Sequence, residues 1–152
     1  MKKYILDSDI ISYLADKKSP YHESVAQKIA SLNDDDILAV SILILYEYEY
    51  GISNADPEIV AKLENTKVKV LSRLKVIPLS LDGAKIFGQI KKAYKDKMGT
   101  LEKKIEKNNI DFMIASSAVS QNAILVSNDK IVSIIKEIYH KFNFENWAQS
   151  DT

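Results

Sequence analysis

Short apolar runs alternate with longer stretches of helical periodicity along the chain. Residues 3–7 (KYILD) form an apolar run ending in a carboxylate, and the helical stretch DIISYLA follows, with Ser8 or Asp9 placed to cap it. From His22 to Leu32, Val25, Ile29 and Leu32 share one face, which predicts a second helix. The acidic turn 33–36 then leads into ILAVS, a predicted buried strand. Residues 42–52 (ILILYEYEYGI) are apolar nearly all round. Their length and the Ser41 cap favour a buried helix, although a strand beginning at Ile37 would run into it. Asp56-Pro57-Glu58 is a helix start, with Asp as cap and Pro in the first turn, and the helix continues to about Leu74. KVIPL predicts a short strand, and Leu81 to Lys97 a helix broken by Met98-Gly99-Thr100. A short helix, LEKKIEK, stops at Asn108-Asn109. IDFMIASSAVSQN is helical, and the small residues Ala115, Ser116, Ser117 and Ala118 permit close packing on a sheet. AILVS is strand-like, Asp129 to Tyr139 helical, and KFNFENW closes with a period of two.

Strands that alternate with helices imply an α/β fold, with a parallel sheet covered on both faces. No repeat, low-complexity tract or linker divides the chain, so residues 1–152 read as one domain. Composition agrees: 46% of residues are hydrophobic, and Gly (4) and Pro (3) are scarce. The absence of cysteine excludes disulfides, thiolate nucleophiles and Cys-based zinc sites. At the N-terminus Asp7 interrupts the apolar run, so neither a signal peptide nor a membrane span is expected there, which points to a cytoplasmic protein. Net charge is zero and gives no global attraction to nucleic acid. The segment 82–108 is nevertheless locally basic, with lysines at 85, 91, 92, 95, 97, 103, 104 and 107 against acids at 82, 96, 102 and 106. Such a stripe is either a solvated helical face or a surface that touches phosphates.

Ligands in open α/β sheets bind at the carboxyl ends of the strands. Asp7 ends the first predicted strand and Asp129 follows the AILV strand, so both belong to the same edge. Each also has a plain explanation as a helix cap, although Asp7 precedes the predicted cap. Glu47 lies in the apolar segment 42–52, where a buried carboxylate needs a cation or a lysine partner. Asp111 falls in the first turn of an otherwise apolar helix, where the dipole keeps it ionised. Four converging carboxylates require a divalent cation, and a set of oxygen ligands selects Mg²⁺ or Mn²⁺. Such a centre orients water for attack on a phosphodiester. The two histidines, His22 and His140, read as surface residues.

The motifs ILDSDIISYL, SILILYEYEYG, NIDFMIASSAV and ILVSND, with FENW near the end, resemble the PIN-domain ribonucleases, and most closely the VapC-type toxins of toxin–antitoxin pairs. The likeness covers nearly the whole chain. It places the family's acids on Asp7, Glu47, Asp111 and Asp129 as catalytic and metal-holding residues. Ser8 and Asp9 fall on the remainder of the D-T-N triplet, where Asp9 replaces a frequent Asn, so that it either strengthens the metal site or caps the helix. Ser127 falls in a slot for a hydroxyl that orients the metal or a water. The resemblance implies a three-layer fold with a five-stranded, mainly parallel sheet flanked by helices. It also implies Mg²⁺- or Mn²⁺-dependent cleavage of single-stranded RNA, commonly tRNA, together with homodimerisation and inhibition by a small antitoxin protein.

Two other readings compete. Asp7-Ser8-Asp9 after a strand fits the D-x-D opening of haloacid-dehalogenase-type phosphatases, but Glu47 would then have no role. A non-catalytic RNA-binding module on the same fold is the other, against which all four acid positions are filled.

Overall fold

A computed structural model describes residues 1–99 and 102–149. Thr100 in the predicted break, Leu101 at the start of LEKKIEK, and residues 150–152 of the predicted domain lie outside these. The order of elements is β1 (Lys3–Leu6), α1 (Ser8–Ala15), α2 (His22–Ala30), β2 (Ile37–Ser41), α3 (Ile42–Asn54), α4 (Pro57–Arg73), β3 (Lys75–Ile77), α5 (Leu81–Met98), α6 (Glu102–Glu106), α7 (Asn109–Ser120), β4 (Ile124–Val126), α8 (Ile131–Ile138) and β5 (Asn143–Glu145). Every predicted element is present, with shifts of one to a few residues at the ends. The ambiguous segment after Ser41 is helix, because the strand stops at Ser41 and its hydroxyl accepts a hydrogen bond from the Leu43 N–H at 3.2 Å. At the start of α4, Asp56 holds the cap position through its backbone carbonyl rather than its side chain.

The strands form one sheet in the order β3-β2-β1-β4-β5, and every pairing is parallel. The strand cores read as unbroken apolar runs, as a sheet buried on both faces requires: Ile5, Leu6, Ala39, Val40, Leu125 and Val126 are all inaccessible to solvent or nearly so. From β1 the chain steps outward to β2 and β3, then returns past both to place β4 on the other side of β1. Right-handed crossovers therefore put α1–α4 on one face and α5–α8 on the other. Helix packing follows this division, with α1 on α2, α3 on α4, and α5 on both α7 and α8. The result is three layers around a core that includes Ile10, Ile44, Ile90, Phe112, Ile114 and Ile135.

The small residues of α7 are buried as expected, although α7 packs chiefly on α5 and touches the sheet only at β4. Ser116 and Ser117 direct their hydroxyls back to the carbonyls of Phe112 and Met113, so their burial leaves no donor unpaired. The segment 42–54 departs from expectation. Only Ile44 of this apolar helix is buried, while Tyr46 and Tyr50 stand 70% and 73% exposed. No described helix is long and apolar enough to cross a membrane.

Candidate active site

Between β1 and β4 the strand order reverses, so the loops leaving these strands diverge to opposite faces and open a crevice at their carboxyl ends. The residues that follow the two strands meet across it. The Asp7 N–H donates to the Val126 carbonyl at 2.9 Å, which extends the β1–β4 pairing by one step. Ser127, fully buried, donates its hydroxyl to Asp7 Oδ2 at 2.9 Å and accepts from the Asp129 N–H at 3.1 Å. Asp7 is itself only 8% exposed. It is also the N-cap of α1, its Oδ1 accepting from the Ser8 N–H at 2.8 Å, which corrects the expectation that Ser8 or Asp9 caps this helix. Exposed Ser8 thus serves Asp7 through its backbone. Asp129 is exposed, and one of its oxygens accepts from the Ile131 N–H at 3.2 Å, but it stands one residue before the N-cap of α8, which is Lys130, so the capping explanation does not hold for it.

Asp111 enters from the first turn of α7 and Glu47 from the second turn of α3. Glu47 is exposed, not buried as its apolar neighbours suggest, because α3 turns most of its surface to solvent. The lysine partner expected for a carboxylate in this segment belongs instead to Glu49, which Lys67 meets at 2.7 Å.

Electrostatics ties these groups together. Burial first, and then the charges of Asp129, Asp7, Glu47 and Asp9, together push the Asp111 carboxyl up to about 6. Burial raises Asp7 too, against the opposing hydrogen bonds from Ser8 and Ser127, and the charge of Asp129 adds to the rise. Glu47 is raised by partial desolvation and then by the charge of Asp7. Four segments far apart in sequence therefore bring their carboxylates within mutual repulsion. Among the described residues no three of these side chains close directly around one point. The set is an open acidic cradle. Two concavities include none of the four acids: an open groove of about 300 Å³ beside Lys91, Lys92 and Lys95, and an apolar one of about 140 Å³ between α5 and α7.

Asp9 is drawn into the same field and raised to about 6, by burial first and then by Asp7. Both its oxygens accept backbone N–H groups, Oδ1 from Ile10 at 2.7 Å and Oδ2 from Asn128 at 2.9 Å. Sequence reading passed over Asn128, Tyr13 and Asn146. The Asn128 amide donates to the Tyr13 hydroxyl at 3.1 Å and its carbonyl accepts from Asn146 at 2.7 Å. The only hint in the sequence was the place of Asn128 between two candidate residues. His140 is exposed as expected; His22 is half-buried, its Nδ1 donating to the Tyr13 carbonyl at 2.9 Å. The α5 lysine stripe is partly engaged in ion pairs, Lys92 with Asp96 and Lys95 with Glu102.

Fold and cradle together define a PIN domain: residues 4–139 match that family, and the chain belongs to it. Within it the chain is a VapC-type ribonuclease, 30% identical over 149 residues to Ribonuclease VapC2 of Rickettsia felis, an alignment covering 95% of this chain and 97% of that one. Among solved structures it is similar to that of VapBC2 from Rickettsia felis bound to a promoter DNA fragment, with a TM-score of 0.75, 27% identity, and 95% and 98% of the two chains covered. The fold also matches VapBC-1 from nontypeable Haemophilus influenzae, with a TM-score of 0.74 at 20% identity over 95% and 98%. Membership of this family replaces the phosphatase reading.

Proposed function

We propose that the protein is a cytoplasmic endoribonuclease that uses Mg²⁺ or Mn²⁺ to cut single-stranded regions of RNA, tRNA among them, and that Asp7, Glu47, Asp111 and Asp129 form its centre. The observation that carries this reading is the approach of Asp7, Glu47 and Asp111 at the reversal of the sheet, each raised by burial, and Glu47 and Asp111 raised further by the charge of Asp7. Carboxylates held in repulsion are a preformed site for a cation. Oxygen donors alone suit a hard ion that retains several waters, so a cradle too open to surround the ion directly still fits a hydrated one. When bound, such an ion supplies an activated water and offsets charge on the phosphodiester oxygens.

The protein's own part is positional. Asp7, fixed by Ser8 and Ser127, is the rigid member. Asp129 hangs from the same serine through its N–H and keeps one oxygen for the site. Asp111 lies at a helix N-terminus, whose positive end also favours a phosphate beside it. Exposed Glu47 stands at the rim, where a strand of RNA enters.

The reading extends to partners. The structures similar to this one were solved as VapBC assemblies. Tyr46 and Tyr50, four residues apart on α3, present an exposed aromatic pair that suits a macromolecular contact. We assign the chain as the toxin of a pair, a homodimer restrained by a small antitoxin.

The test is direct. Purified protein incubated with bulk tRNA should produce discrete fragments with Mg²⁺ or Mn²⁺ and none in EDTA, and Asp111→Asn should produce none in either. Cleavage that persists in EDTA, or in the Asp111→Asn protein, would remove the metal centre from the reaction.

A further inference from the structure

We propose that Asp9 is a positioning residue: together with Tyr13 it grips Asn128, and so sets Asp129 opposite Asp7, and it is not a fifth ligand of the metal. This inference rests on the metal-centre reading above. Asp9 and Tyr13 are four residues apart on α1 and therefore lie on one face of the helix. From that face they hold the same residue at two points, Asp9 Oδ2 accepting the Asn128 N–H at 2.9 Å and the Tyr13 hydroxyl accepting the Asn128 amide at 3.1 Å. Asn146, just beyond β5, holds the remaining Asn128 oxygen at 2.7 Å.

Each residue of the Ser127-Asn128-Asp129 turn then has a separate task. Ser127 bonds Asp7, Asn128 is clamped, and Asp129 is presented. Without the clamp the turn is held to the α1 side only by Ser127 and the β1–β4 pairing. Both Asp7 and Asp9 have each oxygen engaged, but Asp7 bonds its neighbour's N–H and a side-chain hydroxyl, whereas Asp9 ties α1 to the backbone of the turn that carries Asp129. The clamp itself is rigidly mounted. The Tyr13 ring packs tilted at 52° against Tyr21 with centroids 4.8 Å apart, and the Tyr13 carbonyl accepts from His22.

Two readouts on the full chain decide the matter, and the first requires no metal. Amide hydrogen exchange at Asn128 in metal-free protein should quicken about tenfold or more in Asp9→Ala. Mn²⁺ affinity by calorimetry should fall about 10–100-fold in the same variant, as for other residues that orient ligands. Asp9→Asn still offers an acceptor to the Asn128 N–H and should recover most of both losses. Tyr13→Phe, which keeps the ring contact, should reproduce a milder form of the Asp9→Ala phenotype and serves if that variant fails to fold. Asp9→Asn binding Mn²⁺ as poorly as Asp9→Ala, with Asn128 exchange as slow as in the parent, would make Asp9 a ligand and overturn the proposal. So would unchanged exchange in both Asp9→Ala and Tyr13→Phe. Absence of Mn²⁺ binding in the parent protein would instead refute the metal centre, and the exchange comparison would still judge the clamp.

Discussion

Asp111 is buried enough to lose solvation, and Asp129, Asp7, Glu47 and Asp9 all act on it repulsively. In the metal-free protein its charge is therefore a burden to the fold, and Asp111→Asn should raise the melting temperature at neutral pH by a few degrees while lowering cleavage by at least about 10²-fold, comparable to loss of a key transition-state group. A variant equally or less stable than the parent in differential scanning calorimetry would remove the repulsion argument. The same reasoning sets a pH dependence. Asp9 and Asp111 titrate near 6 in the folded chain and near 3.8 when unfolded, so between these values the native state holds protons that the unfolded state releases. Stability contributed by these two groups is thus greatest at low pH, falls as pH rises through that window, and levels off above about 7. Melting of the EDTA-treated protein should accordingly be higher at pH 5.5 than at pH 7.5, and saturating Mn²⁺ should flatten the difference. Ser127 presents the opposite case, since its hydroxyl serves Asp7 and the Asp129 N–H from a fully buried position. Ser127→Ala leaves both partners short and should cost about 1–3 kcal/mol in a denaturant titration.

At the level of elements the sequence was a good guide where a local rule decides the outcome. Ser41 ends a strand and caps a helix, Pro57 opens α4, and Gly99, in the left-handed region at φ 59°, closes α5. Alternation of apolar runs with helical stretches sufficed for the class of fold. It did not suffice where tertiary contact decides. The face of α3 that packs cannot be read from a helix apolar all round, and Glu47 was consequently placed in the interior rather than at a rim. Asp7 was placed before the cap because Ser8 and Asp9 looked equally able to fill it, whereas the β1–β4 pairing carries the strand up to Asp7 itself. The Asn128 contacts span more than a hundred positions of sequence, and no periodicity encodes them. The FENW segment shows how far such contacts reach. Trp147, 4% exposed, packs against Tyr4 of β1 with ring centroids 5.1 Å apart and donates its indole N–H to Glu145 at 2.9 Å. Trp147→Ala should destabilise the protein by about 3–5 kcal/mol, read from the urea midpoint.

For the molecule as a whole, the arrangement of strands decides which residues can act together. Asp7 and Ser127 are 120 positions apart and become neighbours only because β4 is inserted beside the first strand instead of beside the third. A helix pair on one face and a helix cluster on the other then bring Glu47 and Asp111 toward the same edge. The four candidate acids each lie in a short motif with its own local signature, and the strand ends already placed Asp7 and Asp129 at one edge. How Glu47 and Asp111 approach that edge depends on strand order and helix packing, which no local motif encodes. That order has a consequence during synthesis. A ribosome delivers β1 first, yet one flank of this strand stays without its partner until residues 124–126 have left the exit tunnel, and the last acid follows only at 129. Chains that end before Asp129 thus carry at most three of the four acids proposed for the centre.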